Sequence, residues 1–379
     1  MSSSTATVNA MFAALTDFDV DAAAELMTDD IVWQNVSLPT LRGKKTVVRA
    51  LRLVTKPSLK FEAEMHHIVG DESTVLTERT DILTVGPLRI EFWVCGTFEL
   101  RDGKVSVWRD YFSLRDVAWG VVTAVGAEVT HLKKGDRVAY GQSPIGAYAK
   151  ARNVPAAQVV KVPKGIGFDE AAALMLKGLT VQYLFRQTYR LQGGETILFH
   201  AAAGGVGLIA CQWAKALGVK LIGTVSSPEK AELARANGAW ETIDYSRENV
   251  AERVLELTGG KKVPVVYDGV GKDTWETSLD CIEPRGLMVS FGNASGPVAG
   301  VNLAVLNQKG SLYVTRPSLG VHVNTLEKLQ AASEEVFDLV LKKKIKVRID
   351  QRYSLEQAGE AQTALASRKT TGATVLMLD

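Results

Sequence analysis

Two groups of residues in this 379-residue chain have types and spacings suited to chemistry. The first is Glu78-Arg79-Thr80-Asp81 taken together with Asp110. In a strand, Arg79 and Asp81 are two apart and share a face. If Asp110 lies on another strand of the same sheet, an arginine stands between two carboxylates. Such an arrangement drives carboxylate pKa values apart, leaving one neutral acid and one ionised base. A solvated strand face fits the same spacing. The second group runs from Glu195 to Ala210, where an apolar segment enters a glycine turn and then an amphipathic pattern ending near Gly218. Gly204 and Gly207 take the last two positions of a G-x-G-x-x-G fingerprint, Gly205 and Val206 lie between them, and Ala202 replaces the first glycine. Such a turn lets backbone approach a pyrophosphate, and the following helix offers free N–H groups. The next apolar run, Val219 to Val225, ends in Ser226-Ser227-Pro228-Glu229-Lys230. An NAD site would carry an acidic residue there for the ribose hydroxyls. Two hydroxyls and a lysine suit a 2′-phosphate instead, so NADPH is the expected cofactor; a capped helix with a surface lysine is the competing reading.

Positioning these groups takes two kinds of scaffold. Around the first, residues 10–15, 22–27 and 44–54 have helical patterns, with Asp19 and Asp21 suited to a helix start. Residues 61–69, 74–85, 88–100 and 105–113 then alternate as four strands, with turns at Gly86-Pro87 and Asp102-Gly103. Helices followed by an antiparallel meander predict an α+β cone with a pocket. Around the second, a strand is expected from Gly120 to Gly126 and a turn at Gly135-Asp136. Strands at 239–243, 263–268, 286–291 and 311–315 alternate with helices at 247–258 and 273–282. This predicts a doubly wound parallel sheet of about six strands, hence an α/β fold. A further helix is expected at 326–341, with Lys342-Lys343-Lys344 as its solvated, dipole-matched end. No Pro/Ser-rich linker separates the two scaffolds.

Composition narrows the function classes. The net charge of +2 argues against nucleic-acid and membrane-surface binding. Residues 1–118 are mildly acidic, with 13 basic and 17 acidic side chains, and the remainder mildly basic. Cys95, Cys211 and Cys281 are scattered, without metal or redox spacing, which favours a reducing, cytoplasmic setting. His66-His67 are strand neighbours on opposite faces and suit no shared metal. The first residues lack a signal-peptide pattern, and no apolar run reaches the ~20 residues a membrane span needs.

The front segment resembles the limonene-1,2-epoxide hydrolase family of the NTF2-like fold class. The resemblance is carried by Trp33-Gln34-Asn35, Thr77 to Asp81, Gly86-Pro87-Leu88-Arg89, Phe92 to Gly96 and Trp108 to Phe112. It implies Asp110 as the base that activates water, Asp81 as the acid that protonates the epoxide oxygen, and Arg79 as the bridge. It implies Asn35 as a water holder. The family's tyrosine two residues before it is Trp33 here, whose N–H donates but cannot accept. The expected substrate is a small cyclic epoxide.

The remainder resembles the zeta-crystallin-type NADPH:quinone oxidoreductases of the medium-chain dehydrogenase/reductase superfamily. The matching pieces are Gly135 to Val138, Gly146-Ala147-Tyr148, Leu176 to Thr180, His200 to Gly207, Tyr267 to Gly271, Gly286 to Asn293 and Asn307 to Leu312. The resemblance implies an NADPH site lined by Tyr183, Gly205, Val206, Ser226, Lys230, Tyr245, Gly269, Phe291 and Arg368. It implies quinone or enone substrates and a homodimer. Zinc-binding members carry a cysteine around Lys177; this chain has none there, so no metal is expected. About sixty residues that precede Gly120 in the family, much of its GroES-like catalytic domain, are missing. The expected division is therefore an NTF2-like cone at 1–118, a partial GroES-like domain at 119–177 with 316–379, and a Rossmann domain at 178–315.

Overall fold

A computed structural model describes residues 3–35, 40–54, 60–85, 88–111, 118–142, 147–148, 151–366 and 370–377. The Gly86-Pro87 turn, residues 112–117 at the junction, Arg368 and the side chain of Asn35 lie outside the described residues.

The front unit opens with helices α1 (Ser3–Thr16) and α2 (Val20–Glu25). Asp19 caps α2, its side chain accepting the Ala22 N–H at 2.8 Å. Strands β1 (Met27–Asn35) and β2 (Leu41–Arg42), helix α3 (Lys44–Val54) and strands β3 (Lys60–Gly70), β4 (Thr74–Val85), β5 (Leu88–Arg101) and β6 (Lys104–Tyr111) follow. They form one six-stranded sheet in the order β2-β1-β6-β5-β4-β3. The meander and α3 match the sequence expectation. The helix expected through Met27 is corrected: α2 stops at Glu25 and Met27 starts β1, which runs parallel to β6. Asp29 and Asp30 are poor strand formers, but Met27 and Ile31 are fully buried, and burial against β6 overrides local preference. Asp102 and Gly103 both have positive φ (53° and 74°), which the tight β5–β6 turn requires. Val8, Met11, Phe12 and Leu15 of α1 and Val47 and Leu51 of α3 pack on Phe98 and Trp108 of the sheet.

Strands β7 (Ala118–Val121), β8 (Arg137–Tyr140) and β9 (Val160–Lys161) form a three-stranded antiparallel sheet. The strand expected to reach Gly126 is corrected to end at Val121. The Val122–Asp136 and Gly135–Val122 hydrogen bonds close the ladder at Gly135 (φ 90°). Residues beyond have no partner strand among the described residues, and Val121 and Val125 are exposed. Helix α4 (Phe168–Tyr183) then continues into a π-helical turn, Leu184–Thr188.

The central unit alternates as the sequence predicts. Its elements are β10 (Thr196–Phe199), α5 (Gly205–Leu217), β11 (Lys220–Val225), α6 (Pro228–Ala236), β12 (Glu241–Asp244), α7 (Val250–Leu257), β13 (Val263–Asp268), α8 (Trp275–Asp280), β14 (Ile282–Ser290), α9 (Ala304–Gln308) and β15 (Tyr313–Thr315). All six strands are parallel, in the order β12-β11-β10-β13-β14-β15. The order reverses at β10, which places a crevice beyond the carboxyl ends of β10 and β13. Strand β14 starts four residues earlier than expected, because Ile282 pairs with Val263 before the chain bulges at Arg285 (φ 64°); this also shortens the helix expected to reach 282. Gly218, left-handed at φ 73°, ends α5.

The chain closes with α10 (Leu319–His322), α11 (Leu326–Leu341), β16 (Ile349–Ser354), α12 (Ala358–Ala366) and β17 (Ala373–Met377). The last helix before the lysine run matches its expected bounds, and Lys342 pairs with Asp338 one turn back. Strands β16 and β17 form a separate two-stranded sheet. Among the described residues, the small sheets do not join into a closed barrel.

Candidate active sites

In the front unit, strand register builds the site. Thr77 of β4 pairs with Gly96 of β5, Gly96 with Asp110 of β6, and Asp110 with Asn35 of β1. Arg79 and Asp81, two residues apart on β4, point to the same face. The Arg79 guanidinium crosses β5 over Gly96 to reach β6. Its Nε donates to Asp81 Oδ1 at 2.7 Å and its Nη2 to Asp81 Oδ2 at 3.1 Å. Nη2 also lies 2.8 Å from Asp110 Oδ1. That contact is a buried ion pair, so one guanidinium is shared by both carboxylates. Arg79, Asp81 and Asp110 are all buried, which removes the reading as a solvated strand face.

Electrostatics acts on Asp81. Burial pushes the Asp81 carboxyl up to about 6; Arg79 opposes this and the Asp110 charge adds to it. Burial alone would lower the Arg79 pKa, but Asp110 and Asp81 more than offset it and hold the guanidinium above its usual range. A carboxyl with a raised pKa at Asp81, beside a permanent cation, fits the expected acid role.

Sequence reasoning missed three supporting residues. Phe12 lies under the guanidinium, 4.3 Å from Arg79 Cζ. Thr77 Oγ1 accepts from Nη1 at 3.3 Å. Gly96 is the third: a Cβ there would sit 2.6 Å from Thr77 Oγ1 and 2.7 Å from Arg79 Nη1. A glycine inside a strand was the available signal. Gly96→Ala is expected to displace the guanidinium and cost about 1–3 kcal/mol of stability, read as a lower unfolding midpoint in urea. Trp33 stacks on Trp108 at 4.7 Å, and among the described residues neither buried indole N–H has a partner. His66 bonds Thr80 across β3 and β4 at 2.8 Å.

In the central unit the glycine turn follows β10. Ala201 takes a left-handed φ of 56°. Ala202, at the first fingerprint position, is accommodated by Gly223 of β11, whose Cβ would lie 2.4 Å from the Ala202 methyl. Gly207 lets α5 close on the turn, since a Cβ there would come within 2.4 Å of the Ala201 carbonyl. Gly204 caps α5, and Gly205 and Val206 open it. The side chain of Lys177 packs on Gly205, with Nζ donating to the Ala173 carbonyl at 3.3 Å; burial pushes its pKa down to about 8.

A buried polar chain supports the turn from behind. The Asp268 carboxylate accepts the Val270 and Gly271 N–H groups at 2.7 and 3.0 Å and the Thr274 hydroxyl at 2.6 Å. Ser278 donates its hydroxyl to Asp268 Oδ2 at 2.7 Å. His200 Nε2 must therefore donate to Ser278 Oγ, at 2.9 Å, and Nδ1 must accept from Thr224 Oγ1, at 3.0 Å. Burial lowers the His200 pKa, with Asp268 opposing, which suits this neutral tautomer. The chain ties the ends of β10, β11 and β13 together. Sequence reasoning had given His200 no role.

Ser226, Lys230 and Tyr245 gather beyond the end of β11. Lys230 Nζ donates to Ser226 Oγ at 3.0 Å, and the Tyr245 N–H bonds the Val225 carbonyl. Ser227 is used differently: it caps α6, accepting the Lys230 N–H at 3.4 Å. Its hydroxyl also bonds Glu229, which holds that carboxyl below its usual range. Phe291 lies against Gly269, 3.1 Å from where a Cβ would stand. Tyr183 sits apart from the turn on α4, buried and stacked on His322 at 4.8 Å.

These two geometries define a chain with a carboxylate-pair cone in front and a dinucleotide-type Rossmann unit behind. Comparison with known proteins gives the families. Residues 2–122 match the family model "Limonene-1,2-epoxide hydrolase catalytic domain" and residues 205–340 match "Zinc-binding dehydrogenase". A quinone oxidoreductase of Pseudomonas aeruginosa is 69% identical over 258 residues, 68% of this chain and 79% of that protein. The epoxide hydrolase EphG of Mycobacterium tuberculosis is 41% identical over 122 residues, 32% of this chain and 81% of that protein. The Escherichia coli quinone oxidoreductase crystallised with NADPH superposes with a TM-score of 0.69 at 56% identity, covering 70% of this chain and 82% of that one. The chain belongs to the quinone oxidoreductase family of medium-chain dehydrogenases/reductases, with a limonene-1,2-epoxide hydrolase family domain at its front.

Proposed function

We propose that the chain is an NADPH-dependent oxidoreductase of quinones or enones. The observation that carries this reading is the Ser226–Lys230 pair at the end of β11, where a ribose-binding carboxylate would mark NAD. Among the described residues Lys230 has no carboxylate within ion-pair distance, so its charge is available to a 2′-phosphate. The residues fit the cofactor: α5 opens at Gly205 and Val206 after the Gly204 cap, a helix N-terminus of the kind that receives a pyrophosphate, and Lys177 packs beside Gly205. When bound, NADPH supplies the hydride. The chain's own residues bind and orient, with Gly269 and Phe291 flanking the crevice and no metal called for. Expected result: NADPH binds roughly 10- to 100-fold more tightly than NADH, the worth of one charge-assisted contact, and Lys230→Ala removes most of the difference. Fluorescence titration of both cofactors checks it; equal affinities in the parent chain would remove the assignment.

A second activity is favoured by the buried Arg79 between two carboxylates. Asp110 would take a proton from water while neutral Asp81 protonates the oxygen of a small cyclic epoxide, Arg79 fixing both. Asn35, whose backbone lies opposite Asp110 in register, is the water holder that the family resemblance implies, and Trp33 stands where the family has a phenol.

The three-part division at residues 1–118, 119–177 with 316–379, and 178–315 is our reading of the chain. No described helix is long and apolar enough to cross a membrane. We infer a homodimer through β15, an edge strand with exposed Tyr313 and Val314 and unpaired backbone groups. Light scattering should give twice the chain mass, and Val314→Lys should halve it. Cys211 and Cys281 are buried free thiols, in keeping with a cytoplasmic location.

A further inference from the structure

We propose that Arg348 is a second cationic contact for the cofactor's 2′-phosphate, supplied by the C-terminal segment rather than by the Rossmann unit; the proposal rests on the NADPH reading above. Arg348 lines three adjoining hollows. One, of about 430 Å³, brings it together with Lys230 and Leu233 of α6 and with Thr371. A second, of about 480 Å³, adds Asn237, Lys346 and Arg352. The third is a narrow crevice at Gly205 and Gly372. Arg348 therefore lies along α6, from Glu229 and Lys230 at its start to Ala236 and Asn237 at its end, and beside the start of α5. The starts of α5 and α6 are the positions that receive the pyrophosphate and the 2′-phosphate of a dinucleotide in such a fold.

The segment that carries Arg348 is pinned to the Rossmann unit. Gln212 of α5 clamps the Lys346 backbone, accepting its N–H at 2.8 Å and donating to its carbonyl at 3.2 Å. The Arg348 carbonyl accepts the Ala373 N–H at 2.9 Å, and Gly372 bridges Gly204 in the glycine turn. The side chain is oriented as well. Arg348 Nε donates to the Asp350 carboxylate at 2.7 and 2.8 Å, and Thr371 donates its hydroxyl to the same carboxylate at 2.6 Å. This fixes one edge of the guanidinium. The two terminal Nη groups have no partner among the described residues, and they are the fork that matches phosphate oxygens. Two carboxylates share the 430 Å³ hollow. Glu229 is held by Ser227, and Glu232 is exposed on α6.

The test is calorimetric titration of the full chain with NADPH, NADH and adenosine 2′,5′-bisphosphate, in parent, Lys230→Ala, Arg348→Gln and Arg348→Lys forms. Arg348→Gln should weaken NADPH and the bisphosphate about tenfold and leave NADH unchanged, and Arg348→Lys should recover part of the loss. If Arg348→Gln keeps the parent's NADPH/NADH ratio while Lys230→Ala loses it, this inference alone is overturned. An equal loss for both cofactors overturns it too, since the phosphate would not be what Arg348 reads. A parent chain without NADPH preference removes the underlying reading and this proposal with it. Thermal unfolding of each variant confirms that folded protein is being compared.

Discussion

Asp110→Asn is expected to lower hydrolysis of a small cyclic epoxide at least about 100-fold, the lower range for removing a general base. The amide has the carboxylate's shape, so the cone should fold and Arg79 should keep an acceptor on β6. What it lacks is the ability to take a proton from water. The parent should also show a pH limb set by Asp81. That carboxyl must be protonated to act as the acid, and burial holds its pKa at about 6, so the rate should fall as pH rises through that value. Its stability contribution has the same direction. A folded pKa above the unfolded 3.8 means that the folded state binds the proton more tightly, so this contribution is present at low pH and is lost as pH rises toward and through 6. The measurement is product formation by the parent, Asp110→Asn and Asp81→Asn across pH 4–9. Turnover that survives Asp110→Asn would remove this mechanism.

Quinone turnover is expected to fall below about 1 per second, the low end for whole enzymes, while cofactor binding survives. The Rossmann unit has its own core and holds Ser226 and Lys230 at the phosphate end. The substrate end is different. The chain covers 79% of the Pseudomonas aeruginosa relative, and the family resemblance implies that the segment lacking ahead of Gly120 supplies one wall of the substrate pocket. Hydride transfer needs donor and acceptor held about 3–3.5 Å apart, and orientation is worth about 7–11 kcal/mol of the barrier. Without that wall a quinone is free to tumble and water enters. Stopped-flow NADPH oxidation with a soluble quinone, beside hydrogen exchange on residues 120–135, checks this. Fast turnover together with strongly protected amides there would show that the wall has been rebuilt from elsewhere in the assembly.

Much of the molecule was legible in the sequence because its signals are local. The strand–turn–helix at 196–217, the left-handed glycine that ends it, the helix at 326–341 and the β3–β6 meander all rest on short-range periodicity and capping. The pairing of Arg79 with Asp81 followed from their spacing of two on a strand. Tertiary structure decided the rest. The parallel β1 was hidden by Asp29-Asp30, because only burial of Met27 and Ile31 against β6 makes it a strand. Asp110 reaches Arg79 because the β4-β5-β6 register puts Gly96 between them, and register is a property of paired strands. Ala202 is tolerated because Gly223, on the next strand, gives up its Cβ. His200 acts through Thr224 and Ser278, which are distant in sequence and close only in the fold. A residue's type sets what it can donate, accept or charge; which groups it meets depends on packing between segments, and short-range sequence patterns carry no direct record of that.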